Sequence, residues 1–560
     1  MPERAGLRRS SIRPADEQPP LPRERFLVRE PPGDEAVPMD VLFVGAGPAG
    51  LSGAIELARL VRKDAEGGGG LGDVEIGVLE KAANLGEHSL SGAVVNPLGF
   101  RELFPELPLD QLPLRRPVTR ESVYVLTERR AIRIPTPPTM RNEGNWVASI
   151  CEIVRWLGGK AEELGVNVFP GFPVESLLVE GDRVVGVRTA PAGLARDGSV
   201  TGDTQPPMDL TAAVTVLSEG TRGALTQAWL EWQGVTAPNP QIYALGVKEL
   251  WRVRAPLDRV VHTMGWPVPR DAFGGSFAYP MADDLLALGL VVGLDYADAR
   301  FDVHEALQRL KLHPMFRRLL EGGELVEWGA KTIPEGGWWS LPERRHGDGL
   351  LVVGDAAGYV EVSSLKGIHY AMLSGILAAR QIFRALKAGD TSAAGLAGYT
   401  AAVDASAIAR DLRERRNMRL AFKSGFFSGG AKAGLMTLTR GAALGGRIAI
   451  DADAAVTKRF GSSPAPLVPD GKLTFSKLDA VYRSGNRTRD DVPSHLLRPE
   501  SVSPEAAELY THLCPAAVYE RDGERLVVNP PNCIDCKATD VLGPRWSPRE
   551  AGSGPAYRQM

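Results

Sequence analysis

An apolar strand that runs straight into G-x-G-x-x-G constrains this chain more than any other feature: Val41-Leu42-Phe43-Val44-Gly45-Ala46-Gly47-Pro48-Ala49-Gly50. In such a run the first glycine permits the tight turn and the second lets phosphates approach the backbone. The third lets the following helix pack against the strand. That helix is predicted over 51–62, its N-terminal amides aimed at an anion. Gly45, Gly47, Ala49 and Gly50 are therefore candidate contacts to a dinucleotide pyrophosphate. The next strand, over 74–79, ends in Glu80, a carboxylate placed to accept hydrogen bonds from ribose hydroxyls. Its distance from the glycines is stretched by Gly67-Gly68-Gly69-Gly70, read as a flexible surface insertion.

Two later segments separate flavin from nicotinamide. Leu350-Leu351-Val352-Val353-Gly354-Asp355 is a buried-strand pattern ending in Gly-Asp, followed by an apolar-periodic helix over 367–386. It resembles the second fingerprint of the glutathione-reductase-like FAD fold, in which the Asp binds the ribityl chain. Val214-Thr215-Val216-Leu217-Ser218-Glu219-Gly220-Thr221-Arg222 resembles the acidic-Gly motif that closes over the pyrophosphate in that fold. With the motifs in this order, FAD is the expected cofactor.

A chain of 560 residues exceeds one core and predicts about two to four domains. With 44% hydrophobic and 24% charged residues and a formal net charge of -3, it reads as soluble and globular, with no sign of a nucleic-acid partner. No stretch reaches the roughly 18 to 20 apolar residues of a spanning helix. Residues 1–38, rich in Pro, Arg and Glu, are expected to be a disordered tail. Glu3, Asp16 and Glu17 count against a transit peptide. Four cysteines form no disulfide framework and indicate a reducing compartment. Cys151 falls in an apolar-periodic helix and is expected to be a small buried hydrophobe. Cys514 and the pair Cys533-Ile534-Asp535-Cys536 can place three thiolates on one metal centre.

Further stretches carry a resemblance: Glu80-Lys81-Ala82-Ala83, Leu90-Ser91-Gly92-Ala93, Gly246-Val247-Lys248-Glu249-Leu250-Trp251, Gly274-Gly275-Ser276-Phe277 and Cys514-Pro515-Ala516-Ala517-Val518-Tyr519-Glu520. Over nearly its whole length after about residue 39, the chain resembles the electron transfer flavoprotein:ubiquinone oxidoreductase family. The resemblance implies an α/β and α+β chain. It combines a glutathione-reductase-like FAD-binding fold, an interleaved ubiquinone-binding domain and a C-terminal ferredoxin-like domain. The expected division is a tail over 1–38, FAD-binding parts over 39–235 and 336–400, and a ubiquinone domain over 236–335. A membrane-associated helical region and linker over 401–499 and an iron-sulfur domain over 500–560 complete it. Lys81, Ser91, Gly92, Glu219, Gly220, Gly354, Asp355 and Gly367 join the FAD contacts, and Gly274 and Gly275 contact the quinone. The implied activity passes electrons from electron transfer flavoprotein through FAD and a 4Fe-4S cluster to ubiquinone. The implied setting is a monotopic membrane surface, expected on the inner face of a bacterial cytoplasmic membrane rather than in mitochondria.

The chain departs from the family pattern at the cluster. Its ligands map onto Cys514, Cys533 and Cys536, but the fourth falls on Thr539, whose hydroxyl binds iron far more weakly than a thiolate. Four outcomes stay open: a four-iron cluster with Asp540, Thr539 or water as an oxygen ligand; a three-iron cluster; zinc on the cysteines with His512; or an empty site. Phe273 stands where a tyrosine is expected, and Lys366-Gly367-Ile368-His369-Tyr370 replaces threonines near the flavin. His369 is read as a packing residue or proton donor. Lys248 and Glu249 are read as a surface ion pair or as groups orienting the quinone domain. Residues 415–450 contain no Asp or Glu, but seven basic residues, Arg415, Arg416, Arg419, Lys423, Lys432, Arg440 and Arg447, lie among apolar ones, including Phe426 and Phe427. This composition suits an anionic bilayer surface. Residues 100–112, with Phe100, Leu103, Phe104, Leu107 and Leu109, are a second lipid-facing candidate. Two other functions are compatible with the motifs: an FAD-dependent reductase of an isoprenoid or lipid, and a non-catalytic flavoprotein.

Overall fold

The computed structural model describes residues 10–461, 465–499, 501–523 and 525–560; the side chains of Phe426 and Phe427 lie outside the description. Val41, Leu42, Phe43 and Val44 are all buried, as a central parallel strand covered on both faces requires. The strand Val37–Val44 lies between Ile76–Glu80 and Asp209–Leu217, parallel to both, in a nine-stranded sheet. Leu350–Val352 extends the parallel set by pairing with the last residues of Asp209–Leu217. All three sequence motifs therefore leave the same edge of one sheet.

Two helices cover this sheet near that edge. Pro48–Glu66 begins with proline in its first turn and has no side-chain N-cap, which leaves its first amides for another acceptor. Ile368–Ala388 crosses it so tightly that a Cβ at Gly375 would sit 2.1 Å from the carbonyl oxygen of Ala49.

A second, seven-stranded sheet has the order Glu324–Pro334, Tyr243–Arg252, Leu285–Gly293, Gly274–Pro280, Val260–Gly265, Glu121–Leu126, Ala131–Ile134. Its last two strands come from within 39–235, so the chain supplies this sheet from two separate stretches. One face packs toward the flavin sheet through Leu250, Phe277 and Tyr279, joined by Ala93, Cys151 and Tyr557. The other is covered by helices Val303–Leu312 and Pro314–Leu320 and by the C-terminal module, which share one core with it. That module contains helix Pro504–Leu513, hairpin Tyr519–Asp522 with Arg525–Val528, and the short helix Ala538–Leu542.

The expectation of a disordered tail over 1–38 is corrected from residue 10 onward, while residues 1–9 lie outside the described residues. Ser11–Ile12 pairs with Lys458–Arg459, Leu27–Val28 joins the flavin sheet, and Phe26 is fully buried. The Gln18 amide donates to the carbonyls of Asp540 and Gly543 at 3.0 and 2.9 Å. A few apolar anchors and one clamped amide order a segment whose composition alone reads as disordered.

Candidate functional site

The glycine turn is built from backbone contacts. Gly45 has φ +108°, and a Cβ there would lie 2.5 Å from the Ser218 carbonyl oxygen. At Gly50 a Cβ would lie 2.2 Å from the Gly45 carbonyl oxygen, whereas at Gly47 it would meet nothing within 4 Å. The first and third glycines are thus demanded by the protein itself. The second opens a cradle at the helix N-terminus, where amides and dipole favour an anion.

The other motifs converge here. Ser218 Oγ donates to the carbonyls of Val44 and Gly45 at 2.8 and 2.7 Å. Glu80 accepts the amides of Ala46 and Ala82 at 3.0 and 2.9 Å. A Cβ at Gly354 would lie 3.0 Å from that of Ala49, so the Gly-Asp turn abuts the first motif. Burial raises the Asp355 carboxyl to about 6, with Lys331 opposing the shift. A carboxyl so placed suits hydroxyl donors such as those of a ribityl chain. A Cβ at Gly367 would lie 3.8 Å from Asp355 Oδ1, and Gly92 and Gly220 have open space where a Cβ would be. Ser91 offers its Oγ to the Ala93 amide and its carbonyl to Lys248 Nζ at 3.0 Å. The cradle fits FAD.

Two predicted contacts are engaged elsewhere. Glu219 accepts the amides of Leu225 and Thr226 at 3.2 and 2.8 Å, capping helix Ala224–Trp232. Lys81 donates to Asp535 Oδ2 at 2.5 Å, linking the end of the flavin strand to the loop between Cys533 and Cys536. The surface ion pair of Lys248 and Glu249 is not formed. Both are buried, and adjacent strand residues point to opposite faces. Lys248, lowered to about 8 by burial, reaches Ser91, while Glu249 pairs with Lys311 at 2.9 Å and accepts from Trp251 and Gln308. Burial, with Lys366 and Arg415 adding to it, lowers His369 to about 3. The imidazole is therefore neutral at physiological pH and is no proton store; its ring centroid lies 3.8 Å from that of Tyr370. Cys151 is fully buried, its Sγ 3.2 Å from the Ser89 carbonyl.

Gly274 and Gly275 open a strand rather than a turn, pairing with Val292 and Val291. A Cβ at either would come within 2.3 Å of a neighbouring carbonyl, so close strand packing alone explains glycine here. Phe273 lies against Phe422, with ring centroids 5.2 Å apart, and under the Arg419 guanidinium at 4.5 Å.

That contact ties the strand to residues 415–450, and the structure redistributes their charge. Arg415 pairs with Glu361 at 2.6 Å; Arg419 pairs with Glu335 and Asp295 at 2.7 and 3.0 Å, and Lys423 also reaches Asp295. Arg416 and Arg447 hold backbone carbonyls. Of the seven cations only Arg419 is buried, while Arg415, Arg416 and Lys432 are half-buried; Arg415, Arg419 and Lys423 are drawn to buried carboxylates from distant segments that need a counter-charge. Lys423, Arg440 and Arg447 are exposed around helix Phe426–Leu438, as are Leu435 at 46%, Leu438 at 85% and Leu444 at 45%. The second candidate, 100–112, is corrected: Phe100, Leu103 and Phe104 are buried, and Trp156 meets both phenylalanine rings edge-on.

Beside the Arg419 network, Asp453 Oδ2 accepts the Tyr243 amide at 2.7 Å, while its buried Oδ1 has no partner. Burial, aided by Asp295, raises this carboxyl from 3.8 to about 7. Its stabilising contribution is complete below about pH 4 and is lost as pH rises to about 7, on the order of 4 kcal/mol in all. Melting temperatures across pH 4.5 to 8 should thus fall more steeply for the wild type than for Asp453→Asn, and parallel curves would refute this.

Cys514, Cys533, Cys536 and Thr539 line one small enclosed cavity, together with Tyr519 and Trp546. Burial pushes all three thiols up, Cys536 to about 12, so they become thiolates only with a cation between them. This donor set fits an iron-sulfur centre on three corners. Thr539 Oγ1 accepts the Trp546 indole N–H at 3.1 Å. Asp540 does not face the cavity: its Oδ2 accepts Arg222 Nε at 2.5 Å and its Oδ1 accepts the Trp546 amide at 3.1 Å. His512 is not among the lining residues, and burial lowers its imidazole from the ordinary value. Arg222 and Asp535 stand within the motifs quoted from the sequence but without a role of their own, and Arg549 and His495 stand in none.

Fold and site together define an FAD-dependent oxidoreductase with a metal-cluster module docked on its flavin domain. Residues 243–333 match the family model "ETF-QO, ubiquinone-binding", and residues 471–558 match "Electron transfer flavoprotein-ubiquinone oxidoreductase, 4Fe-4S". Mitochondrial electron transfer flavoprotein-ubiquinone oxidoreductases are similar throughout: that of Arabidopsis thaliana is 38% identical, covering 94% of this chain and 85% of its own, and that of Homo sapiens is 36% identical, covering 93% and 89%. The chain belongs to the electron transfer flavoprotein-ubiquinone oxidoreductase family. In fold alone it also resembles a geranylgeranyl bacteriochlorophyll reductase-like protein of Thermoplasma acidophilum, at 19% identity and TM-score 0.56 over 73% of this chain and 93% of that one.

Proposed function

We propose that this chain takes electrons from reduced electron transfer flavoprotein and delivers them to ubiquinone at a membrane surface, using FAD and a C-terminal iron-sulfur centre. One observation carries the reading: the cysteine cavity is docked on the flavin domain by Lys81 with Asp535 and by Arg222 with Asp540, both acidic partners being buried. FAD, when bound, supplies the ability to accept electrons singly and release them in pairs. The chain's own residues position and insulate. Gly47 and the free amides of helix Pro48–Glu66 receive the pyrophosphate, Asp355 the ribityl chain, and the loop at Ser91 and Gly92 with Gly367 borders the ring system. The segment Phe273-Gly274-Gly275 receives the quinone head.

Phe273 touches Phe422, four residues before helix Phe426–Leu438, so the quinone strand and the outward apolar helix are neighbours. A quinone whose tail stays in lipid enters along this path. No described helix is long and apolar enough to cross a membrane, which fits attachment from one side. We place that surface on the inner face of a bacterial cytoplasmic membrane; the relatives named above are mitochondrial. Leu435→Ser with Leu438→Ser should cut liposome flotation several-fold and leave flavin content unchanged; undiminished flotation would remove this helix from the account.

The decisive assay mixes the purified protein with reduced electron transfer flavoprotein and a short-chain ubiquinone. Bleaching of the bound flavin by the first and its recovery on adding the second are expected. A flavin that the electron carrier cannot reduce would overturn the proposal.

A further inference from the structure

Three thiols and two hydroxyls, those of Thr539 and Tyr519, line the cysteine cavity. Among the described residues, every carboxylate and imidazole near the missing thiolate is engaged or absent from the lining. Both Asp540 oxygens hold donors, Arg222 and Gln227 on one and the Trp546 amide on the other. Both Asp535 oxygens are held by cations, Arg549 at 2.8 Å and Lys81 at 2.5 Å. His495 lies within 4.8 Å of Cys533 and Asp535, on the side of a corner that already has its thiolate. A zinc ion shared by these three would sit against the Lys81 and Arg549 charges that already neutralise Asp535. The Thr539 and Tyr519 hydroxyls remain, both neutral oxygens, that of Thr539 already accepting the Trp546 N–H. Oxygen of this kind is a poor partner for iron in a sulfide cluster.

From this arrangement we infer that the centre in this chain is a three-iron, four-sulfide cluster, with Cys514, Cys533 and Cys536 each binding one iron and the vacant cube corner facing Thr539. A cuboidal cluster of this kind needs one thiolate per iron, which is the number the cavity offers. The inference rests on the iron-sulfur part of the function proposed above and fixes its nuclearity.

The test uses the full-length protein purified anaerobically, with iron, sulfide, zinc and flavin measured together and low-temperature electron paramagnetic resonance recorded before and after dithionite. The wild type should carry about three irons and four sulfides per flavin and give a resonance in the oxidised state, since that cluster is paramagnetic when oxidised. Thr539→Cys should raise iron to about four per flavin, silence the oxidised state and give a resonance only after reduction, whereas Thr539→Ser should behave as wild type. If Thr539→Cys does not fold, the wild-type stoichiometry and oxidised-state resonance decide alone. A wild type with about four irons that resist chelation and no oxidised resonance would overturn the inference, as would zinc or an absence of metal. Flavin content and reduction by electron transfer flavoprotein, read on the same sample, separate these outcomes from failure of the broader function.

Discussion

Gly47→Val should yield a folded protein that cannot hold FAD, whereas Gly50→Ala should fail to fold properly. The contrast follows from where each added carbon would go. At Gly47 it meets no protein atom within 4 Å and intrudes only on the cradle, while at Gly50 it lands 2.2 Å from the Gly45 carbonyl oxygen and pries the helix from the strand. Displacing the pyrophosphate removes charge-assisted hydrogen bonds worth roughly 1.5 to 3 kcal/mol each, so losing two weakens binding by about 100-fold to 10,000-fold. Overpacking at Gly50 costs about 3 kcal/mol or more at the centre of the sheet. Flavin absorbance after gel filtration, with circular dichroism of the same fraction, checks both. Full flavin content in Gly47→Val would mean that the cradle is not the cofactor site.

Arg222→Met should detach the cluster module. Arg222 bridges the third flavin motif to Asp540, reaching the carboxylate at 2.5 Å and the backbone carbonyl at 2.9 Å. Burial would raise the Asp540 carboxyl, but Arg222 and Lys537 hold it below its usual range. Removing the guanidinium strands a buried charge, a change that typically costs about 3 to 5 kcal/mol. Limited proteolysis should then cut around residues 465–499 much faster than in the wild type, and electron flow from the carrier protein should fall with it. Because the loss comes from an uncompensated carboxylate, Arg222→Met combined with Asp540→Asn should recover most of the resistance. A single variant as resistant as the wild type would show that the apolar core alone docks the module.

The flavin fold was legible because its constraints are local. Strand, turn and helix of the first motif occupy residues 37–66 without interruption, and their glycines answer to steric rules that hold in any sequence. The Gly-Asp strand and helix 367–386 were equally plain, the latter appearing as Ile368–Ala388. Charges were read less well. A charge run in sequence looks like a solvated face, yet Arg415, Arg419 and Lys423 pair with buried carboxylates more than fifty positions away. The same limit hid the burial of Phe100 and Phe104 against Trp156, a partner from another helix.

By itself the sequence determined that a dinucleotide turn, a flavin Gly-Asp strand and a three-cysteine centre are present, since each is set by residue type over a short span. Only the tertiary structure decided that Lys81 and Arg222 serve the module junction, that Lys248 and Glu249 face opposite ways, and that the cysteine cavity is completed by the hydroxyls of Thr539 and Tyr519 while Asp535 and Asp540 are held by cations outside it. Those outcomes depend on which buried charge finds which counter-charge, and such pairing is fixed by the fold across hundreds of residues rather than by any neighbourhood along the chain.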